Sequence, residues 1–353
     1  MDVTSAARVA GRGALAAGAL AIGALAGAVA ERTLMRLSAT SEPVETDFEV
    51  PADQVLTVTT SDGTELHVEI NEPEDPNNPL TIVFAHGYAL SLKSWHYQRQ
   101  ALLGTARLVF YDQRSHGKSA RAEFDSHHVE QLGRDLAEVM SAVGAEDNVI
   151  LIGHSMGGMT VMAYADQYRE AIGTTVIGVA FIATTAGGLA AHSLGLPGPI
   201  GRLIQDAAPS VFAGVASRKE WFDKLKWSDS DLGILLTRLY SFGSTAPASL
   251  GRFVADMLGG TPLDVVAEFL PALHDHDKHA ILPIFGRCEV LVIVGDTDRL
   301  TPAPLSEVIV DAIPGAQFAL IEDSGHMVQL ERHDEVDALL LGFVDRVKTR
   351  VHE

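Results

Sequence analysis

Five short, continuously apolar segments constrain the fold of this chain more than any other feature of its sequence. They read LTIVFAH, ARLVFYD, NVILIGH, VIGVAFIAT and EVLVIVG, at residues 80–86, 106–112, 148–154, 176–184 and 289–295. Apolar runs without alternating polar positions are typical of strands that are covered on both faces. Such strands occur in parallel sheets that carry helices on both sides, so the pattern predicts an α/β fold.

Three weaker segments complete the predicted sheet. Residues 55–60 (VLTVTT) and 64–70 (TELHVEI) flank Ser61-Asp62-Gly63, a turn sequence that is typical of a β-hairpin. Residues 317–323 (QFALIED) are a shorter version of the apolar runs. Apolar residues recur at helical spacing at 132–143, 305–313 and 336–347. We therefore expect a mostly parallel sheet of eight strands with helices on both faces.

The alternation of strands and helices stops between residues 185 and 283 and then resumes. This stretch is punctuated by Gly and Pro, and a predicted helix within it carries Leu232, Leu235, Leu236, Leu239 and Tyr240 on one face. An insertion between two strands of one sheet explains the interruption better than a second independent domain. We expect a first part of the core at 46–184, a helical cap at 185–283 and a second part of the core at 284–353.

Residues 1–45 form a separate N-terminal segment, and residues 13–30 within it carry no charged side chain. As a helix, this run would span roughly 27 Å, which is close to the thickness of a hydrocarbon core. Its length favours a membrane anchor. A cleaved signal peptide ending near Ala28-Val29-Ala30, and a helix docked on the soluble body, are the alternatives. The run predicts membrane contact through 13–30 and a location at the membrane or in the cell envelope rather than in the cytoplasm.

The composition excludes several classes of function. Acidic residues outnumber basic ones by 46 to 26, and the formal net charge is −20. A surface of this charge repels phosphate backbones, which argues against binding of nucleic acid. Cys288 is the only cysteine, so an internal disulfide and a thiolate zinc site are impossible.

The most specific motif is GHSMG at 153–157, which lies at the end of an apolar run and before a helical one. The pattern G-x-S-x-G in a strand–turn–helix context is typical of a nucleophilic serine. The sharply bent backbone requires small residues two positions before and after the serine, and the start of the helix presents free amides to negative charge. The motif predicts Ser155 as a nucleophile, with an ordinary glycine-rich turn as the alternative.

A serine nucleophile needs an imidazole base, and the imidazole needs a carboxylate that holds its tautomer. Asp296 and Asp298 follow the apolar run 289–295, and His326 lies in the loop after the last predicted strand. The carboxyl ends of parallel strands share one edge of a sheet, so these loops can converge on Ser155. From the residues alone, either aspartate can be the acid.

Taken together, these motifs resemble those of an α/β-hydrolase-fold serine hydrolase, and the resemblance extends from about residue 55 to the C-terminus. The resemblance rests on His86-Gly87, YDQRSHGKS (111–119), GHSMGG (153–158), GDTDRLTP (295–302) and SGHMVQLE (324–331). The GHSMGG sequence and a compact cap are similar to the esterase, lipase and cofactor-free haloperoxidase-like branch that is common in actinobacteria. The insertion at 185–283 lies where this family carries its cap.

The resemblance implies a catalytic triad. Ser155 matches the nucleophile, and His326 matches the base. The family pattern G-x-x-D-x-x-x-P fits residues 295–302 and implies Asp298 as the acid, with Asp296 as the second choice. The backbone amides of Tyr88 and Met156 match the two donors of the oxyanion hole.

The implied activity is hydrolysis of a carboxylic ester with a lipophilic or acyl group, through an acyl-enzyme and without cofactor or metal. Trp221, Phe222 and Trp227 of the cap are expected to line an acyl pocket or to form the core of the cap. The same triad also permits perhydrolase or haloperoxidase-like, thioester or carbon–carbon bond chemistry. A non-catalytic binding module is the alternative from another class. The partner is expected to be a small molecule, and the sequence leaves the oligomeric state open.

Other reactive side chains are expected to be structural. By the resemblance, His86 and His116 support loops through hydrogen bonds, and His154 points away from Ser155. The run HDHDKH at 274–279 is interpreted as a solvated end of the cap rather than a metal site. Cys288 precedes a strand and is expected to be a buried or edge thiol.

Overall fold

The structure, a computed structural model, describes residues 48–189, 241–243 and 246–351. Eight strands form one sheet in the order β1-β2-β4-β3-β5-β6-β7-β8. The strands are β1 (Gln54–Thr59), β2 (Glu65–Asn71), β3 (Thr81–Ala85), β4 (Arg107–Tyr111), β5 (Val149–His154), β6 (Val176–Ile182), β7 (Glu289–Gly295) and β8 (Gln317–Ile321). Each of the eight predicted segments forms a strand, which confirms the predicted α/β fold.

Helices follow most strands in the described part of the chain. They are α1 (His96–Leu102), α2 (Val129–Ala142), α3 (Met156–Gln167), α4 (Ala248–Gly260), α5 (Leu263–His274), α6 (Ala303–Ala312), α7 (Val328–Glu331) and α8 (His333–Val351). Short 3₁₀ segments lie at Leu92–Trp95, Phe124–Ser126, Arg169–Ala171 and His279–Arg287.

The sheet is antiparallel at its beginning and parallel in the rest. β1 pairs with β2, and β2 with β4, in antiparallel register, and Gly63 in the β1–β2 turn has φ of 87°. From β4 onward the neighbours β4-β3-β5-β6-β7-β8 are all parallel. The carboxyl ends of these strands therefore lie along one edge, where the loops that follow them meet.

The core lies on both faces of the sheet, because alternate residues of each strand point in opposite directions. On one face, Val83, Val109 and Leu151 pack with Leu136 of α2 and Met162 of α3. On the other face, the strand residues pack with α1 and α8; this cluster includes Ile82, Phe84, Ile150, Leu102, Leu340 and Phe343. The continuous apolar runs of the sequence are explained by this coverage on both sides.

Strand β8 departs from the predicted burial. Phe318 and Leu320 are 38% and 47% exposed, although their segment resembles the buried runs in sequence. β8 lies at the end of the sheet and pairs with β7 alone. An edge strand has a neighbour on one side only, so apolar sequence alone does not bury it.

The cap is described in part. Helices α4 and α5 lie within the predicted insertion and confirm helical structure there. Residues 190–240, 244 and 245 lie outside the described residues, and with them Trp221, Phe222, Trp227 and the predicted apolar face of 232–240. The boundaries of the cap at 185 and 283 stay a prediction.

The membrane prediction is corrected by the structure. Within residues 48–189, 241–243 and 246–351, no helix combines the length and the apolar character that crossing a membrane requires. The 19-residue helix α8 is long enough, but it carries acidic side chains in its first turn and basic ones in its last. This finding contradicts the predicted transmembrane anchor and the location at the membrane or in the cell envelope. Residues 13–30, on which both rested, lie outside the described residues, and their Ala and Gly insert less favourably than Leu or Ile.

Candidate active site

Ser155 lies at the junction between β5 and α3. It is partly exposed, whereas the residues on both sides of it are buried. Its backbone has φ of 52°, an uncommon conformation for a residue with a side chain. The conformation is fixed from both sides, because its amide donates to Ile182 O at 3.0 Å and its carbonyl accepts from Thr184 Oγ1 at 2.7 Å. A strained and well-supported turn of this kind is typical of a functional site.

The glycines of the motif are required by close contacts within the turn. A Cβ at Gly157 would lie 1.9 Å from Ala85 O, and a Cβ at Gly153 would lie 2.5 Å from Gly157 O. Both distances are shorter than any allowed contact, so only glycine fits at these two positions. Small residues are therefore required on both sides of Ser155, because Gly157 packs against the end of β3 and Gly153 packs against the start of α3.

Asp298 and His326 meet at the same edge of the sheet. His326 Nδ1 lies 2.9 Å from Asp298 Oδ2, and both side chains are buried. Burial raises the pKa of Asp298, but the charge of His326 and the hydrogen bonds from His326 and Thr301 outweigh it and leave the pKa below its usual value. Asp298 is therefore an anion beside the imidazole and sets Nδ1 as the protonated nitrogen.

Asp296, the second choice for the acid, is oriented differently. It is exposed, and its Oδ1 accepts from the amide of Ser324 at 3.2 Å. This bond ties the loop after β7 to the loop that carries His326. The geometry thus places Asp298, and not Asp296, against the imidazole.

Tyr88 lies in the loop after β3, and Met156 is the first residue of helix α3, just after β5. Their side chains belong to one apolar cluster with Val265, Phe269 and Leu273 of helix α5. The Tyr88 hydroxyl donates to the carbonyl of Val266 in that helix, and burial raises the pKa of the phenol. The Met156 amide is the first of helix α3 and so has no acceptor within the helix. The two residues predicted for the oxyanion hole therefore pack in the same apolar cluster as helix α5.

His154 contributes a contact that the sequence did not predict. Its Nε2 donates to the backbone carbonyl of His326 at 2.9 Å, and the two rings are 4.9 Å apart. Burial lowers the pKa of His154 to about 3, so the ring is neutral. His154 thus supports the loop of His326 from below. Sequence spacing gives no sign of this contact, because the two residues are brought together only by the fold.

His86 and His116 are fully buried, and both bond to loop backbone. His86 Nδ1 donates to Gly87 O at 2.7 Å, and its Nε2 accepts from the Gln113 amide at 2.9 Å. His116 Nδ1 donates to Arg114 O at 2.8 Å. These bonds hold the loops after β3 and β4 together, in the supporting role predicted for the two histidines.

The run 274–279 and Cys288 are the other reactive side chains that the sequence pattern draws attention to. No group of three or more His, Cys, Asp or Glu among the described residues is arranged to hold a metal. Most of the run 274–279 is exposed as predicted, but His276 is buried, so the interpretation as a fully solvated segment was wrong there. Cys288 is buried as expected, and burial raises the pKa of its thiol to about 12.

The fold is that of an α/β hydrolase. The sequence pattern of the alpha/beta hydrolase family matches residues 82–339, well over half of the chain, and the chain belongs to this family. It is similar to 3-oxoadipate enol-lactonase 1 of Acinetobacter baylyi, with 26% identity over 295 residues, 83% of this chain and 98% of the lactonase. It is also similar to a proline iminopeptidase of Pestalotiopsis fici, with 26% identity over 284 residues, 78% of this chain and 94% of the peptidase.

Solved structures share the fold. A thermophilic esterase from Thermogutta terrifontis superimposes with a TM-score of 0.63 at 22% identity, covering 83% of this chain and 99% of the esterase. The names of these relatives include a lactonase, a peptidase and an esterase. The protein is therefore a hydrolase of this superfamily, and the relatives differ in the bond that they cleave.

Proposed function

We propose that the protein is a serine hydrolase that cleaves carboxylic esters of apolar acyl groups through a covalent acyl-enzyme. The observation that supports this most is the 2.9 Å contact between His326 Nδ1 and Asp298 Oδ2, at the sheet edge that also carries Ser155. Nucleophile, base and acid of an acyl-transfer triad are then all supplied by loops at that edge.

In the first step, Ser155 Oγ attacks the ester carbonyl carbon while His326 Nε2 takes the hydroxyl proton. The carbonyl electron pair moves to the oxygen, and the backbone amides of Tyr88 and Met156 stabilise the negative charge. The Asp298 carboxylate stabilises the imidazolium without taking its proton. When the tetrahedral intermediate collapses, His326 gives the proton to the departing alcohol, and the acyl group stays on Ser155.

In the second step, water replaces the alcohol. His326 takes a proton from the water, whose oxygen attacks the acyl carbon, and the amides of Tyr88 and Met156 stabilise the oxyanion again. Collapse breaks the bond to Ser155 Oγ, which regains its proton from His326 as the acid leaves. Each proton that His326 accepts is returned, so the cycle needs no further reactant.

The surroundings support an apolar acyl group. One apolar cluster contains Tyr88, Met156 and Phe269, and a second contains Leu90, Phe242 and Met327, next to His326. We infer that an apolar acyl group binds against side chains of these two clusters, which removes it from water. The net charge of −20 further disfavours anionic substrates.

Labelling with a fluorophosphonate tests the nucleophile. We expect Ser155→Ala to abolish labelling and to lower kcat by about 10⁴-fold or more. Ser115→Ala is a matched control, because Ser115 also has a positive φ, of 64°, and its Oγ lies 2.8 Å from His127 Nε2. Loss of labelling in Ser115→Ala with retention in Ser155→Ala would refute the assignment.

A panel of substrates tests which type of bond the enzyme hydrolyses. We expect turnover of p-nitrophenyl esters of increasing acyl length to exceed turnover of a lactone and of a proline amide, the substrate types suggested by the names of the two relatives. Faster hydrolysis of the amide than of every ester would contradict the proposal. Labelling of Ser155 without turnover of any member would favour perhydrolase, thioester or carbon–carbon chemistry on the same triad.

A further inference from the structure

Thr301 contacts both partners of the buried Asp298–His326 pair. It lies in the loop between β7 and α6 and is 2% exposed. Its Oγ1 donates to Asp298 Oδ2 at 2.8 Å and lies 3.3 Å from His326 Nδ1. The hydroxyl and the imidazole therefore share one carboxylate oxygen.

The Asp298 carboxylate is saturated with donors. Its Oδ1 accepts from the amides of Leu300 and Thr301 at 2.8 and 3.0 Å. Its Oδ2 accepts from the Thr301 hydroxyl and from His326 Nδ1. A carboxylate offers about four lone-pair sites, so every site is filled, and Thr301 fills two of them.

We propose that Thr301 is a positioning residue that shares Asp298 Oδ2 with His326 and thereby sets how strongly the carboxylate stabilises the protonated imidazole. This inference rests on the proposed function, in which His326 is the base. The two backbone amides hold the carboxylate in place through Oδ1. The hydroxyl on Oδ2 competes with the imidazole for the negative charge on that oxygen.

Removal of the Thr301 hydroxyl should therefore shift the protonation of His326 in one direction only. Oδ2 then keeps His326 as its only donor, and more of its charge faces the ring. Because an anion at this distance favours the charged form of an imidazole, protonation of His326 moves to higher pH. Loss of orientation is not expected, since the bonds from the Leu300 and Thr301 amides to Oδ1 do not depend on the side chain.

A substitution of Thr301 leaves the contacts of the other titratable groups around His326 unchanged. His154 at the end of β5 lies beneath the ring and is neutral. From the adjoining loops, Asp296 accepts from the Ser324 amide and Glu331 accepts from the Gly325 amide. These two carboxylates bond to the backbone of the His326 loop, and Arg299 beside Asp298 is exposed.

The test is the titration of the His326 imidazole by NMR, assigned by difference with His326→Gln, together with the pH profile of kcat/KM. We expect Thr301→Val to move the titration and the acidic limb of the profile upward by roughly half a pH unit. Thr301→Ser, which keeps the hydroxyl, should restore the wild-type position. A role limited to packing would move the thermal stability but neither pH value.

Thr301→Ala provides a second variant if Thr301→Val does not fold, and the same upward shift is expected. A titration of His326 whose midpoint is unchanged, or lies at lower pH, in a folded variant would overturn the proposal. The NMR titration needs no substrate, so it distinguishes two failures. Absence of ester turnover would refute the proposed function, whereas an unmoved His326 titration would refute the role of Thr301.

Discussion

At the scale of single residues, two carboxylates only two positions apart have opposite environments. Asp298 is 4% exposed and accepts four hydrogen bonds, two of them from Thr301. Asp296 is exposed and accepts from a backbone amide. Sequence spacing cannot separate them, because the conformation of the loop after β7 decides which side chain turns toward His326.

This contrast gives a prediction for Asp298, for which the same substitution at Asp296 is the control. Asp298→Asn should lower kcat/KM by about 10³- to 10⁴-fold, because an amide no longer holds the required imidazole tautomer. Asp296→Asn should change kcat/KM by only a few-fold and cost some stability. Steady-state kinetics on a p-nitrophenyl ester measure both. A larger loss in Asp296→Asn than in Asp298→Asn would reverse the assignment of the acid.

At the scale of elements, helix α5 packs against the core through a stripe of apolar residues and a polar contact of Glu268. Val265, Phe269 and Leu273 are spaced by four residues and pack in the apolar cluster of Tyr88 and Met156. Beside them, Glu268 Oε2 lies 2.6 Å from an Arg121 nitrogen and 2.8 Å from His127 Nδ1, both in the segment between β4 and α2. The helix is thus held by apolar burial and by the polar contacts of Glu268.

Glu268→Gln tests the polar contact of helix α5. Arg121 is 40% exposed, so we expect a loss of only about 1 kcal/mol in the free energy of unfolding. Hydrogen exchange of the amides of α5 should become faster, while that of α3 should not. Glu307→Gln, on an exposed position of α6, is the control and should stay within about 0.5 kcal/mol of wild type. Equal exchange in α5 of both variants would show that the apolar stripe alone holds the helix.

At the scale of the whole molecule, five buried histidines make the fold sensitive to acid. Burial is the leading cause in each case, and it lowers the pKa because it disfavours the charged imidazole. The pKa is lowered to about 4 in His86, His127 and His276 and to about 3 in His116 and His154. These histidines stay neutral in the folded chain while the unfolded chain binds protons from about pH 6.5 downward.

The unfolded state therefore binds more protons than the folded state between pH 6.5 and about 4, and stability falls as pH falls through this window. Each excess proton contributes a slope of about 1.4 kcal/mol per pH unit. Asp112, Asp135 and Asp337 oppose the trend, because burial raises their pKa, to about 7 in Asp337. Five histidines outnumber these three carboxyl groups, so the net direction is a loss of stability.

Urea unfolding at pH 7, 6 and 5 measures this slope. We expect the free energy of unfolding to decrease steadily over the series. His116→Gln should make the slope shallower, because it removes one of the buried imidazoles. A free energy that is constant from pH 7 to pH 5 would contradict the prediction.

The strands, the turn at Ser155 and the residues that can form a triad could all be predicted from the amino-acid sequence. These features depend on local patterns: apolar runs of strand length, glycines on both sides of Ser155, and polar residues directly after β7 and β8. The α/β fold could be predicted for the same reason, because buried parallel strands require helices on both faces. The apolar run at 13–30 shows the limit of such patterns, since its length predicted a transmembrane helix that the described structure contradicts.

Which of these residues contact each other became clear from the three-dimensional structure. It placed Asp298 rather than Asp296 against His326, His154 beneath that loop, Thr301 on the shared carboxylate oxygen, and β8 at the exposed edge. Each of these contacts joins residues from different strands or loops, or depends on the bend of one loop. Such contacts are set by strand order and loop closure, and a pattern that repeats every two or four residues carries no information about either.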